Sequence, residues 1–392
     1  MFKSVLSLTL AAALGTASFG QTTLTAIPGE AAAAKYASIS QEILRAIEKG
    51  NEYLKSKQNP EGYWAQPSYP ALTALAVTAY MRDPANQGKP VPEYIRKGYD
   101  FILKSQKEDG SIFNRGMSSY NTAVCMMALL AANKEEYAPA ILKGRAYLIK
   151  QQNHFAPDNP YNGGIGYGDK QAPPIADLSN TSLALEAIYY SQKLAKDGKY
   201  GEQPDLDWNA ATEFINRCQQ NPAVNKEPWV SNDKSQLGGF VYRPGVSSAR
   251  DKKSAAFDKA EPPKAYGSMT YAGMQSLIYA NVDKNDPRVK LALKWLENSY
   301  SLDENPGMGV QGLYYYYQAM SKALSAMGID TLTLENGRKM DWRDELANKL
   351  ISIQKSDGSW VNTNNRWWEA DPVLVTSYCV LALEQLYHSI PR

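Results

Sequence analysis

Two kinds of apolar pattern alternate along this chain. The first is one-sided. In 40–57 the apolar residues Ile43, Leu44, Ile47 and Leu54 recur at helical spacing with charges between them, which predicts an amphipathic helix with one buried face. The second is apolar almost all round, in 71–81, 122–132, 181–190, 271–280, 313–327 and 373–386. A helix apolar on every side is buried on every side. The alternation therefore predicts helix pairs, with the polar-faced member outside and the apolar member inside. An open stack of such pairs needs a polar terminal cap. The last inner stretch, VLVTSYCVLALEQL, is as apolar as the middle ones, so the chain is expected to close into a ring.

The joints between the two helices repeat. KGNEYLKSKQNPEGYW at 49–64 returns as KGYDFILKSQKEDGSIF at 97–113, as Lys143, Gly144, Tyr147, Leu148 and Gln152, and as Gln354, Asp357, Gly358, Ser359 and Trp360. With weaker copies near 214–219 and 295–300 there are about six, at a spacing of roughly 45 to 80 residues, the mark of a repeat architecture. Gly50, Gly98 and Gly144 fall inside outer helices, where glycine costs about 1 kcal/mol against alanine; their recurrence predicts close approach of a neighbouring helix. Gln58, Gln106, Gln152 and Gln354 follow helix ends and are expected to satisfy carbonyls there that lack partners. Asp109-Gly110 and Asp357-Gly358 mark turns, and Trp64, Phe113 and Trp360 are expected to pack beneath them. Three connections are long: 153–175, 221–268 and 301–312. Gly163-Gly164 and Gly238-Gly239 are expected to form small hairpins, and the polar stretch 247–264 is expected to be mobile.

Composition narrows the function classes. A formal charge of +2 over 392 residues gives no electrostatic case for nucleic acid or an anionic membrane. Tyrosine is abundant, 26 against 8 phenylalanines, so phenols are available wherever a site forms. Residues 1–20 read as a secretory signal peptide: Lys3, the apolar run Val5 to Leu14, and a small-residue cleavage site before Gln21. That run is too short to span a bilayer, and no second stretch qualifies. The expected organisation is a signal peptide at 1–20, a linker at 21–39 and a repeat domain at 40–392, exported to the periplasm or secreted. Three cysteines make no disulfide framework. Cys125 and Cys379 read as core residues; Cys218 has no assigned place.

The repeats resemble the QW repeats of the squalene cyclase and protein prenyltransferase superfamily: KGNEYLKSKQNPEGYW fits that pattern almost throughout. The resemblance implies an all-α fold, an α/α toroid of six outer and six inner helices, with a central cavity whose mouth is rimmed by the N-terminal ends of the inner helices. The known chemistries of the family do not carry over. Class II cyclases protonate an alkene with the middle Asp of Asp-x-Asp-Asp-Thr; here the matching stretch is Asp177-Leu178-Ser179-Asn180-Thr181, with a serine at the donor position. Prenyltransferases hold zinc with an Asp-x-Cys pair and a later His; this chain has no Asp-x-Cys, and its two histidines, His154 and His388, lie in a loop and at the C-terminus. No metal and no cofactor is expected. DLSNT, YGSMTYAG, GLYYYYQAMSKAL and RWWEADPVL resemble motifs of exported bacterial repeat proteins, a likeness that supplies no reaction.

Closing the ring would bring one set of polar residues to the mouth. Asp177, Glu369 and Asp371 are the candidate catalytic carboxylates. Tyr120, Asn121, Asp177, Asn180, Tyr266, Tyr271, Tyr314, Gln318, Arg366, Trp367 and Trp368 are the candidate ligand-binding residues. Carboxylates beside phenols suit acid/base chemistry. Each also has a structural explanation. Asp371 before Pro372 suits an N-cap, as Asp177 does, and the aromatics suit core packing. Glu369 beside two tryptophans requires solvent or a partner, for which Arg366 is the candidate. The expected function is binding of a small-molecule, glycan or isoprenoid ligand at this mouth; the alternatives are an enzyme of unassigned chemistry, terpenoid cyclase- or transferase-like or carbohydrate-active, and a structural or partner-binding repeat protein.

Overall fold

The computed structural model describes residues 30–168, 175–249 and 262–390. The signal peptide at 1–20 and most of the stretch expected to be mobile lie outside the described residues. The helices run in chain order: α1 (Glu30–Ser56), α2 (Pro70–Arg82), α3 (Glu93–Lys104), α4 (Ser118–Ala131), α5 (Ala138–Lys150), α6 (Leu178–Lys196), α7 (Trp208–Cys218), α8 (Gly267–Tyr279), α9 (Pro287–Asn298), α10 (Leu313–Met327), α11 (Trp342–Ser352) and α12 (Pro372–Ser389). The odd-numbered helices are outer and the even-numbered ones inner. Each inner helix packs on the inner helices before and after it, and α12 packs on α2. The inner ring is closed. The strands β1 (Leu332–Thr333) and β2 (Lys339–Met340) form a short antiparallel ladder between α10 and α11.

The first helix departs from expectation. It begins at Glu30, within the stretch read as a linker. Tyr36 and Ile39 on this extension are buried, and the Tyr36 hydroxyl meets Asp341 and Arg343 at the head of α11. The extension thus fastens the first outer helix to the last.

The repeat joint works by pinning one repeat to the next. The Gln58 amide donates to the carbonyls of Gly62 in its own turn and Tyr94 in α3, at 3.0 and 2.7 Å. Gln106 donates in the same way to Gly110 and Ala140, Gln152 to Gly163 and Asp207, and Gln219 to Gly238 and Arg288. Gln354 donates to Gly358 and to Ala46 of α1, both at 3.0 Å. The glutamines therefore do not serve the loose end of their own helix. They clamp the turn to the following outer helix, and in the last copy that helix is the first of the chain.

The turn glycines are required by this clamp. Gly358 has φ +87°, and a Cβ there would lie 2.4 Å from the Lys49 carbonyl oxygen. Gly163 and Gly238 do not begin separate hairpins. They are the same turn glycines, and Gln152 and Gln219 bridge to Ile165 and Phe240 as Gln58 bridges to Trp64. The second copy bridges Gln106 to Ile112, so Ile112, fully buried, takes the place expected for the half-buried Phe113. The backbone N–H groups of Trp64, Ile112, Ile165, Phe240 and Trp360 donate to the hydroxyls of Thr73, Thr122, Thr181, Thr270 and Thr376 on inner helices. The helix glycines are contact points, as expected: a Cβ on Gly50 would lie 2.5 Å from Val380 and one on Gly98 2.6 Å from Val77. All three cysteines are free and buried, Cys218 included.

Candidate functional site

The heads of the inner helices surround one mouth, and the carboxylates there serve those heads. Asp177 precedes α6. Its Oδ1 accepts the Asn180 backbone N–H at 2.8 Å and its Oδ2 accepts the Asn180 side-chain amide at 2.7 Å. It is 2% exposed. Burial pushes its carboxyl up to about 6, against the pull of the Asn180 groups, the Tyr242 hydroxyl and the Arg243 charge. Thr181, which completes the cyclase-like motif, is one of the five joint threonines and bonds Ile165 and the Asp177 carbonyl. Asp371 caps α12 through Val373 N at 2.8 Å.

Glu369 has a partner other than the expected Arg366. Gly312, before α10, has no side chain to cap that helix. The Glu369 carboxylate fills the gap from the next repeat: Oε1 accepts Tyr315 N at 2.8 Å, and Oε2 accepts the Asn362 amide at 2.7 Å and Tyr314 N at 3.4 Å. Its burial raises the carboxyl pKa while these donors pull it down. Arg366 instead bonds Gln311 at 2.9 Å and stacks on the Trp367 ring, 4.6 Å from its centroid.

The two tryptophans form the exposed part of the mouth. Trp367 and Trp368 are 45% and 40% exposed, and both take positive φ, +55° and +64°. That region is uncommon for bulky L-residues. Trp368 packs on Tyr69 with ring centroids 4.6 Å apart. An open groove of about 430 Å³ runs beside it, walled by Leu72, Leu374 and Pro372, with Gln66, Asn365 and Asp371 at its edge.

Below the groove, side chains meet across the ring. The hydroxyls of Tyr120 on α4 and Tyr378 on α12 interact, as do Tyr315 on α10 and Ser179 on α6. Tyr315 and Tyr378 rings lie 6.0 Å apart. Desolvation pushes Tyr120 and Tyr315 each up to about 12. Further along the axis Lys322 of α10 meets Glu186 of α6 at 2.5 Å. Tyr315, Gln318 and Lys322 are the half-buried residues on one stripe of α10, so Gln318 belongs to this axial set.

Several expected ligand residues do other work. Asn121 is fully buried, and its amide holds the backbone of Ala71, Gly116 and Met117. Tyr271 lies in the core against Tyr316. Tyr314 is buried and donates to the Val361 carbonyl. Tyr266 reaches the rim and interacts with Ser248, within electrostatic range of Asp177 and Arg366. Tyr69 and Tyr378 are not among the expected site residues, although Tyr69 directly precedes an inner helix; Tyr242 and Arg243 follow Gly238-Gly239-Phe240, a stretch faintly similar to the diphosphate-binding loop of prenyltransferases. Among the described residues, no group of three or more His, Cys, Asp or Glu could hold a metal ion, and no helix is long and apolar enough to cross a membrane.

This architecture defines the class: an α/α toroid of the terpene cyclase and protein prenyltransferase type. No family model matches the sequence. Type II terpene cyclase MstE from Scytonema superposes with a TM-score of 0.52 at 11% identity, over 89% of this chain and 99% of that one. A second MstE structure, 10% identical with a TM-score of 0.51 over 90% and 98%, holds the substrate geranylgeranyl dihydroxybenzoate. Candida albicans protein geranylgeranyltransferase-I complexed with GGPP superposes with a TM-score of 0.55 at 15% identity, over 87% and 91%. At such identities the likeness is one of fold.

Proposed function

We propose that this chain is an exported binding protein that holds a glycan at its aromatic mouth and catalyses no cyclisation. The observation that carries this reading is the pair Trp367 and Trp368, both exposed and held at positive φ, with Trp368 lining a groove. Strained residues of this kind persist where the surrounding structure fixes them, and they cluster at ligand clamps. Indole faces stack on the C–H faces of sugar rings. Gln66 and Asn365 stand at the same groove to orient hydroxyl groups.

The shape of the mouth supports a shallow ligand. A long apolar chain entering the axis would have to displace the Tyr120–Tyr378 and Tyr315–Ser179 contacts and break the Lys322–Glu186 pair. Breaking a buried pair is strongly unfavourable. The head of α6 also offers no paired carboxylate: Asp177 is held by Asn180 and stands beside Ser179, and a serine hydroxyl cannot protonate an alkene. An isoprenoid is the second reading, favoured by the geranylgeranyl compounds bound to the fold neighbours.

Titrating the mature protein with neutral and acidic oligosaccharides, and separately with geranylgeranyl compounds, decides between them by tryptophan fluorescence. A glycan-dependent change that is lost in Trp368→Ala is expected. Saturable binding of the isoprenoid alone would replace this reading with the second.

A further inference from the structure

We infer that the glycan this mouth takes is acidic, a polymer of carboxylate-bearing sugars, with Arg243 and Arg366 as its carboxylate-binding residues; this rests on the glycan reading of the same site. By residue count the rim looks acidic, since it holds Asp177, Glu369 and Asp371. Each of these carboxylates is already occupied: Asp177 by the head of α6, Glu369 by the head of α10 and Asp371 by the head of α12. Helix N-termini carry partial positive charge, so these anions are largely neutralised where they stand.

The two arginines cap no helix, although Arg243 lies within electrostatic range of Asp177. Arg366 bonds the neutral Gln311 amide and stacks on Trp367. Arg243 is half-buried, and its Nε is fully buried without a hydrogen-bond partner. Among the described residues neither guanidinium forms an ion pair. The other buried arginines do: Arg145 with Asp205 at 2.7 Å, and Arg343 with Asp330 at 2.8 Å. The half-buried Arg243 guanidinium, without a carboxylate bonded to it, is a ready fork for one, and the exposed Arg366 is a second. Pairing therefore makes the mouth a cationic site.

The layout favours a polymer. Trp368 stands over α12 and Arg366 at the head of α10. Tyr266 lies at the head of α8, and Tyr242 and Arg243 lie against the head of α6, where Leu178 N donates to the Tyr242 carbonyl. α12 and α6 are opposite members of the ring. With neighbouring axes about 9 Å apart, opposite helices of a six-membered ring stand about 18 Å apart. The Trp368 platform and Arg243 thus belong to opposite sides of the ring, a separation suited to a chain of sugars. Anionic groups at intervals along such a chain would meet Arg366 and Arg243 in turn.

The test uses the full mature chain, a galacturonate oligomer and its fully methyl-esterified counterpart, which differ only in charge. The free-acid oligomer is expected to bind at least tenfold more tightly, with affinity falling as salt rises. Arg366→Gln and Arg243→Gln should each lower the ratio of acid to ester affinity severalfold. Arg366 is exposed, so its variant remains informative if Arg243→Gln fails to fold. Equal binding of acid and ester would overturn this inference and leave the glycan reading standing. Binding of neither would overturn both.

Discussion

The Glu369 carboxylate lies 2.8 Å from the backbone nitrogen of Tyr315 and closes the head of α10, a helix whose own capping position is Gly312. A cap is normally supplied by the residue next to the helix; here it comes from the following repeat. Glu369→Gln places a donor among donors in a buried site. It should lower stability by about 1 to 3 kcal/mol, the usual cost of an unsatisfied buried group. A reduced urea midpoint with unchanged slope would show it. An unchanged midpoint would mean that the cap contributes nothing.

Trp367 occupies a backbone conformation that suits glycine. Trp367→Gly relieves φ strain worth about 1 to 2 kcal/mol and loses the contacts of a half-exposed ring. These effects should nearly cancel, leaving stability within about 0.5 kcal/mol of the parent, while oligosaccharide binding falls at least tenfold. A large drop in thermal midpoint would instead make Trp367 a packing residue.

Ring closure rests on Gly358 against Lys49. Gly358→Ala combines a positive φ with a collision 2.4 Å from a carbonyl oxygen, whereas Gly328, φ +64°, has open space around it. Gly328→Ala should cost about 1 kcal/mol. Gly358→Ala should cost clearly more, and should speed proteolysis between α1 and α12. Equal denaturant midpoints for the two variants would refute the closure argument.

Asp177 should leave a signature in the pH dependence of stability. Its carboxyl rises from an ordinary 3.8 to about 6 through burial. Below pH 3.8 it is protonated in both states and its folded environment is fully favourable. That advantage is lost as pH rises through about 6, because the folded state must then bury a charge. A shift of this size corresponds to about 3 kcal/mol. Asp83, Glu369 and Glu384 shift in the same direction, so the parent protein alone cannot isolate Asp177. Asp177→Asn should gain stability relative to the parent by up to that amount between pH 4 and 8. A pH-independent difference would show that Asp177 keeps an ordinary pKa.

The same residue allows a direct test of the proposed lack of cyclisation. Incubation with squalene, oxidosqualene or geranylgeranyl substrates, followed by gas chromatography–mass spectrometry, should yield no cyclic product. A product that vanishes in Asp177→Asn would show working acid chemistry at the head of α6.

The sequence by itself determined the helices, their inner and outer placement and the closed ring, because these follow from periodicity and from which surfaces water excludes. All-round apolar stretches such as 373–386 have only one stable place, inside, and a last stretch without a polar cap must meet the first. The caps at Asp177 and Asp371 were legible for a related reason, since an N-cap is a relation between neighbours in the chain. Tertiary structure alone decided the pairings. Glu369 stands beside Arg366 and the tryptophans in sequence, yet serves the head of a helix more than fifty residues away, Tyr315. Gln354 likewise reaches back to Ala46. The polarity of the mouth was hidden most completely. Composition counts charges, whereas the helix ends brought together by the closed ring decide which carboxylates are already bonded there, as Asp177, Glu369 and Asp371 are.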